Sequence, residues 1–486
     1  MEFAVSRHVL KLSVVLALLA GPSLAIPATP EGAARITDGF QTYLGPAARS
    51  VRVVPQGETY AMTIDAGPLF QLVRRVGLTG RATPLALTLT DHGDGTWAVA
   101  MDQRVEVRVS LPDALDISET VDRLTLTGTW DESLMAFARF GGTFTGVRVR
   151  EVIRSPGQPA TPSDIAVDSG TFQGSSSANP AGGIDSRYSA TSSGLSEQVQ
   201  AAFDPGQPPL PVTIRAESLT QDGTMTGFRL EQVLAILAWV VAHPQAPMAA
   251  DRGQVKGLIQ AALPVFQTLD GGGAVRMLSL DTPLGTFGVA ELGFAVGMNG
   301  AVADGLLREG ITLKGLTLPA GLVPDWAQDL MPQDVALEGQ VTGYDAAAAI
   351  GVGLSALDLP DGEGPGPEFE DRILAALMPG GTVTVSLNPG GASNASYAVT
   401  WEGSLEAGPE TDVPAFRARV SLKGIDAVLK ALNAAPDDMK LPAMMGLGAM
   451  RGIATRGEDG ALAWEIDGST PGQVLVNGMD ISRIGQ

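Results

Sequence analysis

Three polar side chains with the chemistry of cation ligands crowd the segment DHGDGTW, residues 91–97. Asp91, His92 and Asp94 lie within four consecutive positions, and carboxylates at that spacing suit weak calcium binding. A twelve-residue calcium loop also needs a bidentate glutamate downstream, and Asp102 is its nearest substitute. Because that ligand is missing, the segment predicts a solvated turn and no metal site.

The rest of the chain shows no recognisable catalytic motif. It contains no cysteine, which excludes disulfides, thiolate metal sites and cysteine nucleophiles. HExxH, GxSxG, Walker and GxGxxG motifs do not occur, and His92 and His243 are too far apart for a ligand-like spacing. We therefore predict no catalytic, metal-binding or cofactor-binding residue and no cofactor. A Ser-His-Asp triad and a glycosidase carboxylate pair stay open, because only the fold brings such groups together.

The amino terminus has the three parts of a secretory signal peptide. Arg7 and Lys11 supply the positive charge, residues 12–20 the apolar run, and Ser23-Leu24-Ala25 the small-residue exit. The apolar run is about ten residues long, half of what a membrane-spanning helix needs. We predict a signal peptide over residues 1–25, cleavage after Ala25, and a periplasmic protein that is not integral to the membrane; the alternative is a retained anchor.

Cleavage would leave a strongly acidic protein. The formal net charge is -21, and residues 1–25 carry one negative and two positive charges, so the mature chain carries -22. Such a surface repels phosphate backbones. Nucleic acid is therefore not expected as a partner.

Apolar and polar residues alternate in many stretches, as in strands with one apolar and one polar face. This pattern is typical of antiparallel sheets. Four dipeptides predict tight hairpin turns: Asp94-Gly95, Asp222-Gly223, Asn299-Gly300 and Asp459-Gly460. The alternating apolar positions are Leu85, Leu87, Leu89; Val105, Val107, Val109, Leu111; Leu124, Leu126; Val335, Leu337, Val341; Val383, Val385, Leu387; Phe416, Val420 and Leu422.

Helical patterns are fewer and lie between the strand groups. We predict helices over Thr29–Leu44, Leu230–His243, Val255–Leu269 and Glu368–Met378. The expected fold class is α+β and β-rich, with one or more long twisted, mostly antiparallel sheets and several helices packed on one face.

One short element recurs where strand-like runs end. It consists of a glycine that turns the chain off the sheet, an apolar residue, and an aspartate that we predict to cap the following segment. A metal or acid cluster is the alternative role for these aspartates. The three occurrences are Gly343-Tyr344-Asp345, Gly424-Ile425-Asp426 and Gly478-Met479-Asp480.

Composition shifts in the middle of the chain, where serine, glycine and proline become frequent. The stretch 161–210 reads either as a linker or as long polar strands with a loop at Asn179–Gly183. We predict an N-terminal β-rich lobe over 26–160, this polar stretch over 161–210, and a C-terminal α+β lobe over 211–486.

Three stretches carry a resemblance to a known family: TPEGAARITDGFQTYLG, ITLKGLTLPAGLVPDWAQDLMPQDVALEGQVTGYD and VLVNGMDISRI. They resemble an uncharacterised alphaproteobacterial exported protein family, domain of unknown function 2125, over essentially the whole mature chain. The resemblance implies a periplasmic setting and carries over no functional residue. The amphipathic strands also resemble, more distantly, envelope proteins whose long sheets form hydrophobic grooves for lipids.

Two functions remain open from the residues. One is a non-catalytic binding or envelope-scaffolding protein whose sheet holds an apolar ligand, such as a lipid, or docks an envelope protein. The sequence favours a plainer arrangement of that face, in which the protein's own helices, including Leu230–His243, cover it. The other function is a periplasmic hydrolase with scattered Ser, Asp and Glu residues.

Overall fold

The computed structural model describes residues 27–74, 77–154, 160–201, 209–243, 251–359, 364–409, 414–457 and 459–482. The predicted signal peptide over residues 1–25 lies outside the described residues.

One antiparallel sheet of 21 strands contains nearly every strand next to its neighbour in sequence. β3 pairs with β5 beside β4, and β18 pairs with β19. The predicted β-rich antiparallel sheet is confirmed, whereas the packing of the helices on one face stays a prediction. The strands are β1 Val51–Gln56, β2 Thr59–Ile64, β3 Thr79–Ala82, β4 Leu85–Asp91, β5 Thr96–Leu111, β6 Leu115–Asp131, β7 Ala136–Ile153, β8 Thr161–Ala178, β9 Ile184–Ala201, β10 Leu210–Phe228, β11 Thr268–Thr282, β12 Gly285–Asn299, β13 Leu306–Thr317, β14 Asp334–Thr342, β15 Val383–Ser393, β16 Ala398–Ala407, β17 Ala415–Lys423, β18 Thr455–Arg456, β19 Leu462–Asp467, β20 Leu475–Val476 and β21 Met479–Asp480.

The helices lie in the connections between strands. Two 3₁₀ helices, Gly45–Ser50 and Ala356–Asp358, accompany them. The α-helices are α1 Pro30–Leu44, α2 Gly67–Val73, α3 Leu230–Ala242, α4 Arg252–Ala262, α5 Asp325–Gln328, α6 Ala346–Ser355, α7 Phe369–Leu377, α8 Ile425–Asn433 and α9 Asp437–Ile453.

Three of the four predicted helices are confirmed as α1, α3 and α7. At the start of α1, the Gly32 amide donates to Thr29 Oγ1 at 3.0 Å, so the threonine acts as the N-cap. The predicted helix 255–269 is wrong at its end. It stops at Ala262, because Pro264 cannot continue a helix, and β11 begins at Thr268.

Two of the four predicted hairpin turns are confirmed. Gly95 and Gly460 adopt φ of 85° and 78° in the turns between β4 and β5 and between β18 and β19. Asn299-Gly300 ends β12, but a loop over 300–305 leads to β13. The turn at Asp222-Gly223 is wrong, because β10 runs straight through it with Gly223 opposite Tyr188. A glycine opposite an aromatic ring is a common sheet pairing and not a turn signal.

The glycines of the repeated short element behave as predicted, since all three have φ of 81°. Asp345 also confirms its predicted role, because its Oδ1 accepts from the Ala348 amide at 2.7 Å at the start of α6. The other two aspartates do not cap helices. Asp426 lies inside the first turn of α8, and Asp480 accepts from the Ser482 amide in a turn after β21.

The polar stretch in the middle of the chain is sheet. Residues 161–201 form β8 and β9, with the turn at Asn179–Gly183, and β9 pairs with both β8 and β10. The linker alternative is therefore wrong for these residues, and residues 202–208 lie outside the described ones. The division into two lobes stays a prediction.

The sheet has one apolar and one polar face along its whole length. Residues directly opposite each other in an antiparallel ladder share a face, so the pairing follows this face from strand to strand. Each set of alternating apolar positions predicted from the sequence lies on it. Typical pairs are Val109 with Ile117, Leu292 with Leu313 and Val399 with Leu422.

A row of interrupted pairings crosses eight neighbouring strands, from β6 to β13. At this level each ladder skips one or two residues in both of its strands, and the register is the same on either side. Alternate strands adopt left-handed backbone there, with φ of 62° at Gly146, 65° at Gly194 and 50° at Met277. The interruptions in neighbouring strands together form a line across the sheet. We call this row the crease, and it consists of Asp122, Gly146, Asp168, Gly194, Glu217, Met277, Ala290 and Gly315.

At the crease, the alternation of side chains between the two faces shifts by one residue, and the apolar face continues across it. Val121 and Leu124 are three positions apart on β6, yet both lie on the apolar face, opposite Val147 and Phe144 of β7. The alternation of the sequence is therefore interrupted once in each long strand.

Two compact clusters cover the ends of the apolar face. The N-terminal cluster joins Ile36 and Phe40 of α1 to the buried Tyr60 and Trp97. The C-terminal cluster joins α8 and α9 to the buried Leu462 and Trp464, and Trp464 Nε1 donates to the Met450 carbonyl oxygen at 2.8 Å.

The left-handed backbone at the crease can be tested by two substitutions. Gly194→Ala should lower the free energy of unfolding by about 1–3 kcal/mol, because its φ is unfavourable for a side chain and its Cβ would overlap with the Asp168 carboxylate. Met277→Gly, at the same level of β11, should leave stability unchanged or raise it by up to about 1 kcal/mol. Urea unfolding measures both, and equal effects of the two changes would contradict the crease.

Candidate functional site

Large apolar side chains are exposed in the middle of the apolar face. Phe294, Ile311 and Leu337 lie directly opposite one another on β12, β13 and β14, and they are 40%, 47% and 45% exposed. Tyr188 on β9 and Leu387 on β15 are also exposed on this face. The central part of the apolar face is therefore open to solvent. We call these five residues the open patch.

Helix α3, which the sequence predicted to cover this face, makes its main contacts with other elements. The main neighbours of α3 are α1, α4 and the 3₁₀ helix Gly45–Ser50. Its Trp239 is buried, donates to Gln254 Oε1 at 3.0 Å and stacks on His243. The helix over residues 230–242 thus leaves the open patch in contact with water.

A shallow depression of about 430 Å³ lies at the open patch. Its walls include Leu307, Ile311, Leu337 and Leu387, and its one charged lining residue is Glu309. Volumes of this size are within the range of small-molecule sites. The depression can accept an apolar group next to a carboxylate.

Aromatic rings lie against glycines on this face. A Cβ at Gly142 would overlap with the Phe172 ring, and a Cβ at Gly273 would meet the Phe294 ring at 2.7 Å. A ring that lies over a glycine of the next strand covers bare backbone and leaves a smooth apolar surface. Because glycine has no side chain, the ring can lie flat, and the apolar surface that a ligand can contact is wider.

The two faces differ in the sign of their charges. In β5 to β17, as the structure describes them, the arginine and lysine side chains lie on the polar face or at the crease margin. Away from the crease, the charged side chains on the apolar face of these strands are four glutamates: Glu119, Glu151, Glu197 and Glu309.

On the polar face, arginine and lysine side chains pair with carboxylates of neighbouring strands. Arg123 donates twice to Asp102, at 2.8 and 2.6 Å, and this contact holds the pKa of Asp102 below its usual value. Lys314 donates to Glu291 at 2.8 Å and lowers the pKa of that carboxyl group. Exposed pairs of this kind contribute little to stability. They leave the polar face with its charges largely matched.

The acidic segment 91–97 forms the turn between β4 and β5. Asp91 accepts from the Gly93 amide at 2.8 Å, and Asp94 accepts from Thr96 through its hydroxyl and its amide. The Thr96 hydroxyl bond is the main reason why the pKa of Asp94 is lowered. Among the described residues, no group of three or more His, Asp or Glu side chains is placed to hold a metal ion.

The two histidines within the described ranges have structural contacts. His92 Nδ1 lies 3.0 Å from Thr96 Oγ1 in the same turn, and His243 Nδ1 lies 2.8 Å from the Trp239 carbonyl oxygen. The structure does not bring either ring to the open patch.

The sequence indicated only part of this site. Leu337 and Leu387 belong to alternating runs that predict an apolar face, whereas Tyr188, Phe294 and Ile311 were missed. The signal for Phe294 and Ile311 was their spacing of two from Leu292 and Leu313. The position of Glu309 on the apolar face follows only from the pairing of β12 with β13, which places it opposite Val296.

Comparison with protein-family models, curated proteins and solved structures finds no match. Among the described residues, no helix combines the length and the apolar character that crossing a membrane requires. The resemblance to the uncharacterised exported family therefore stays a prediction.

The exposure of the open patch predicts that truncating a side chain there lowers stability less than truncating one in the C-terminal cluster. Leu337→Ala should cost less than about 1 kcal/mol, because nearly half of the side chain is already in water. Leu462→Ala, in the C-terminal cluster and 2% exposed, should cost about 2–5 kcal/mol. Denaturant titrations compare the two, and a Leu337→Ala cost as large as that of Leu462→Ala would mean that the patch is covered.

Proposed function

We propose that this is an exported periplasmic binding protein that holds an apolar ligand, of the acyl-chain class, on the open patch of its sheet. The observation that carries the proposal is the contiguous row of Phe294, Ile311 and Leu337, exposed in the middle of a face that is covered at both ends.

Leaving such a surface in water is unfavourable. Each 100 Å² of apolar surface removed from water contributes about 2.5 kcal/mol. Contiguous exposed apolar patches on proteins commonly mark binding sites for partners, membranes or ligands. A ligand that covers the open patch recovers this contribution, which the helices of the chain do not supply there.

The shape of the chain supports an extended binding surface. The described strands form one open sheet, and its long strands β7 and β10 have 18 and 19 residues. This sheet provides a long face on which a chain-like molecule can lie flat over the aromatic rings.

The periplasmic part of the proposal rests on the N-terminal pattern of charge, apolar run and small-residue exit. The absence of cysteine is compatible with any compartment and adds nothing to it.

An uncharged apolar dye tests the binding surface. N-phenyl-1-naphthylamine should gain fluorescence on the purified protein, and Ile311→Asn should reduce that gain severalfold because it places an amide in the open patch. Thr312→Asn introduces the same residue one position along β13, on the polar face, and should leave dye binding unchanged. No gain in fluorescence, or equal losses in the two variants, would overturn the proposed function.

A further inference from the structure

The charges of the apolar face indicate which apolar ligands it accepts. We propose that the ligand carries a cationic ammonium group, which pairs with Glu309 while its hydrocarbon chain lies on Ile311 and Leu337. This inference rests on the proposed function and adds the chemical class of the head group.

Glu309 is placed on the apolar face by its two neighbours. It lies opposite Val296 of β12 and opposite Gly339 of β14, so its side chain emerges beside the open patch. It also lines the depression of about 430 Å³ together with Ile311 and Leu337. A head group at Glu309 and a chain in the depression are therefore adjacent.

No cation of the described chain compensates Glu309. The next residue, Arg308, points to the other face and lies 3.4 Å from Asp270. Gly339 has no side chain, and Val296 is apolar. Glu309 is exposed, so its carboxylate is open to solvent and free to pair with a cation that arrives together with an apolar chain.

The remaining charges on this face have the same sign. Glu119 lies opposite Val107 and Val149, and Glu151 lies opposite Ile117. Cross-strand diagonal neighbours are about 7–8 Å apart, so these two carboxylates are close to each other on β6 and β7.

Glu197 extends this second acidic area to β9. It lies opposite Ile165, and its Oε1 accepts from Ser163 Oγ at 2.8 Å. An amphiphile on the apolar face thus meets only negative charge on these strands, so an anionic head group is repelled near each of these carboxylates. Charge complementarity favours an ammonium.

Three decyl compounds with the same chain separate the two proposals. Decylammonium, decanol and decanoate are titrated into the purified protein at pH 7.5, below their micelle concentrations, by isothermal titration calorimetry. Decylammonium should bind at least tenfold more tightly than decanoate, with decanol between them. Equal affinities for all three would overturn the head-group proposal and leave the proposed function standing, whereas no binding of any would overturn the proposed function itself.

Two charge variants locate the preference. Glu309→Gln keeps the shape of the side chain and should weaken decylammonium binding about tenfold with decanol binding unchanged. Glu402→Gln removes the same charge from the polar face, where Glu402 lies opposite Arg419, and should change neither affinity. Equal weakening by both variants would show that net charge alone attracts the ammonium and would overturn the assignment to Glu309.

Discussion

The rest of this structure follows from the contact between water and the apolar face of one long, open sheet. A sheet with one apolar face must bury that face against something, because the free energy of burial is the main favourable contribution to folding. Here α1 covers the first strands through the N-terminal cluster, and α8 and α9 cover the last strands through the C-terminal cluster. In the middle of the face, aromatic rings lie over glycines, and in our proposal a ligand covers the apolar surface that remains exposed.

The crease interrupts the pairing of the longest strands. Strands of 15 to 19 residues, such as β11 and β10, are far longer than usual. The pairing is interrupted at the same level in each of eight strands, and the ladder is intact on either side. Glycine at Gly146 and Gly194 supplies the backbone conformation and leaves room for the carboxylates of Asp122 and Asp168. The shift in side-chain alternation and the continuity of the apolar face therefore have one structural origin.

Much of the fold was predictable from local pattern, and its failures have physical causes. Runs such as Val105 to Leu111 indicated one-faced strands correctly, since alternation directly reports two faces. The full length of the strands was not predictable, because side-chain parity reverses at the crease and hides the continuation from Val121 to Leu124. Helix α9 was missed because Pro442 and several glycines argue against a helix in isolation. The open patch depends on which helices fail to cover a face, and no local pattern encodes that.

Solvent access at the open patch can be measured by thiol labelling, for which the cysteine-free chain is well suited. Leu337→Cys and Glu338→Cys place a single thiol on the apolar and the polar face of β14, and maleimide labelling is followed in the purified protein with and without decylammonium. We expect fast labelling at both positions without ligand, and slower labelling at 337 alone when decylammonium is added. A thiol at 337 that is protected without ligand, or that decylammonium does not protect, would contradict an open face that binds an apolar ligand.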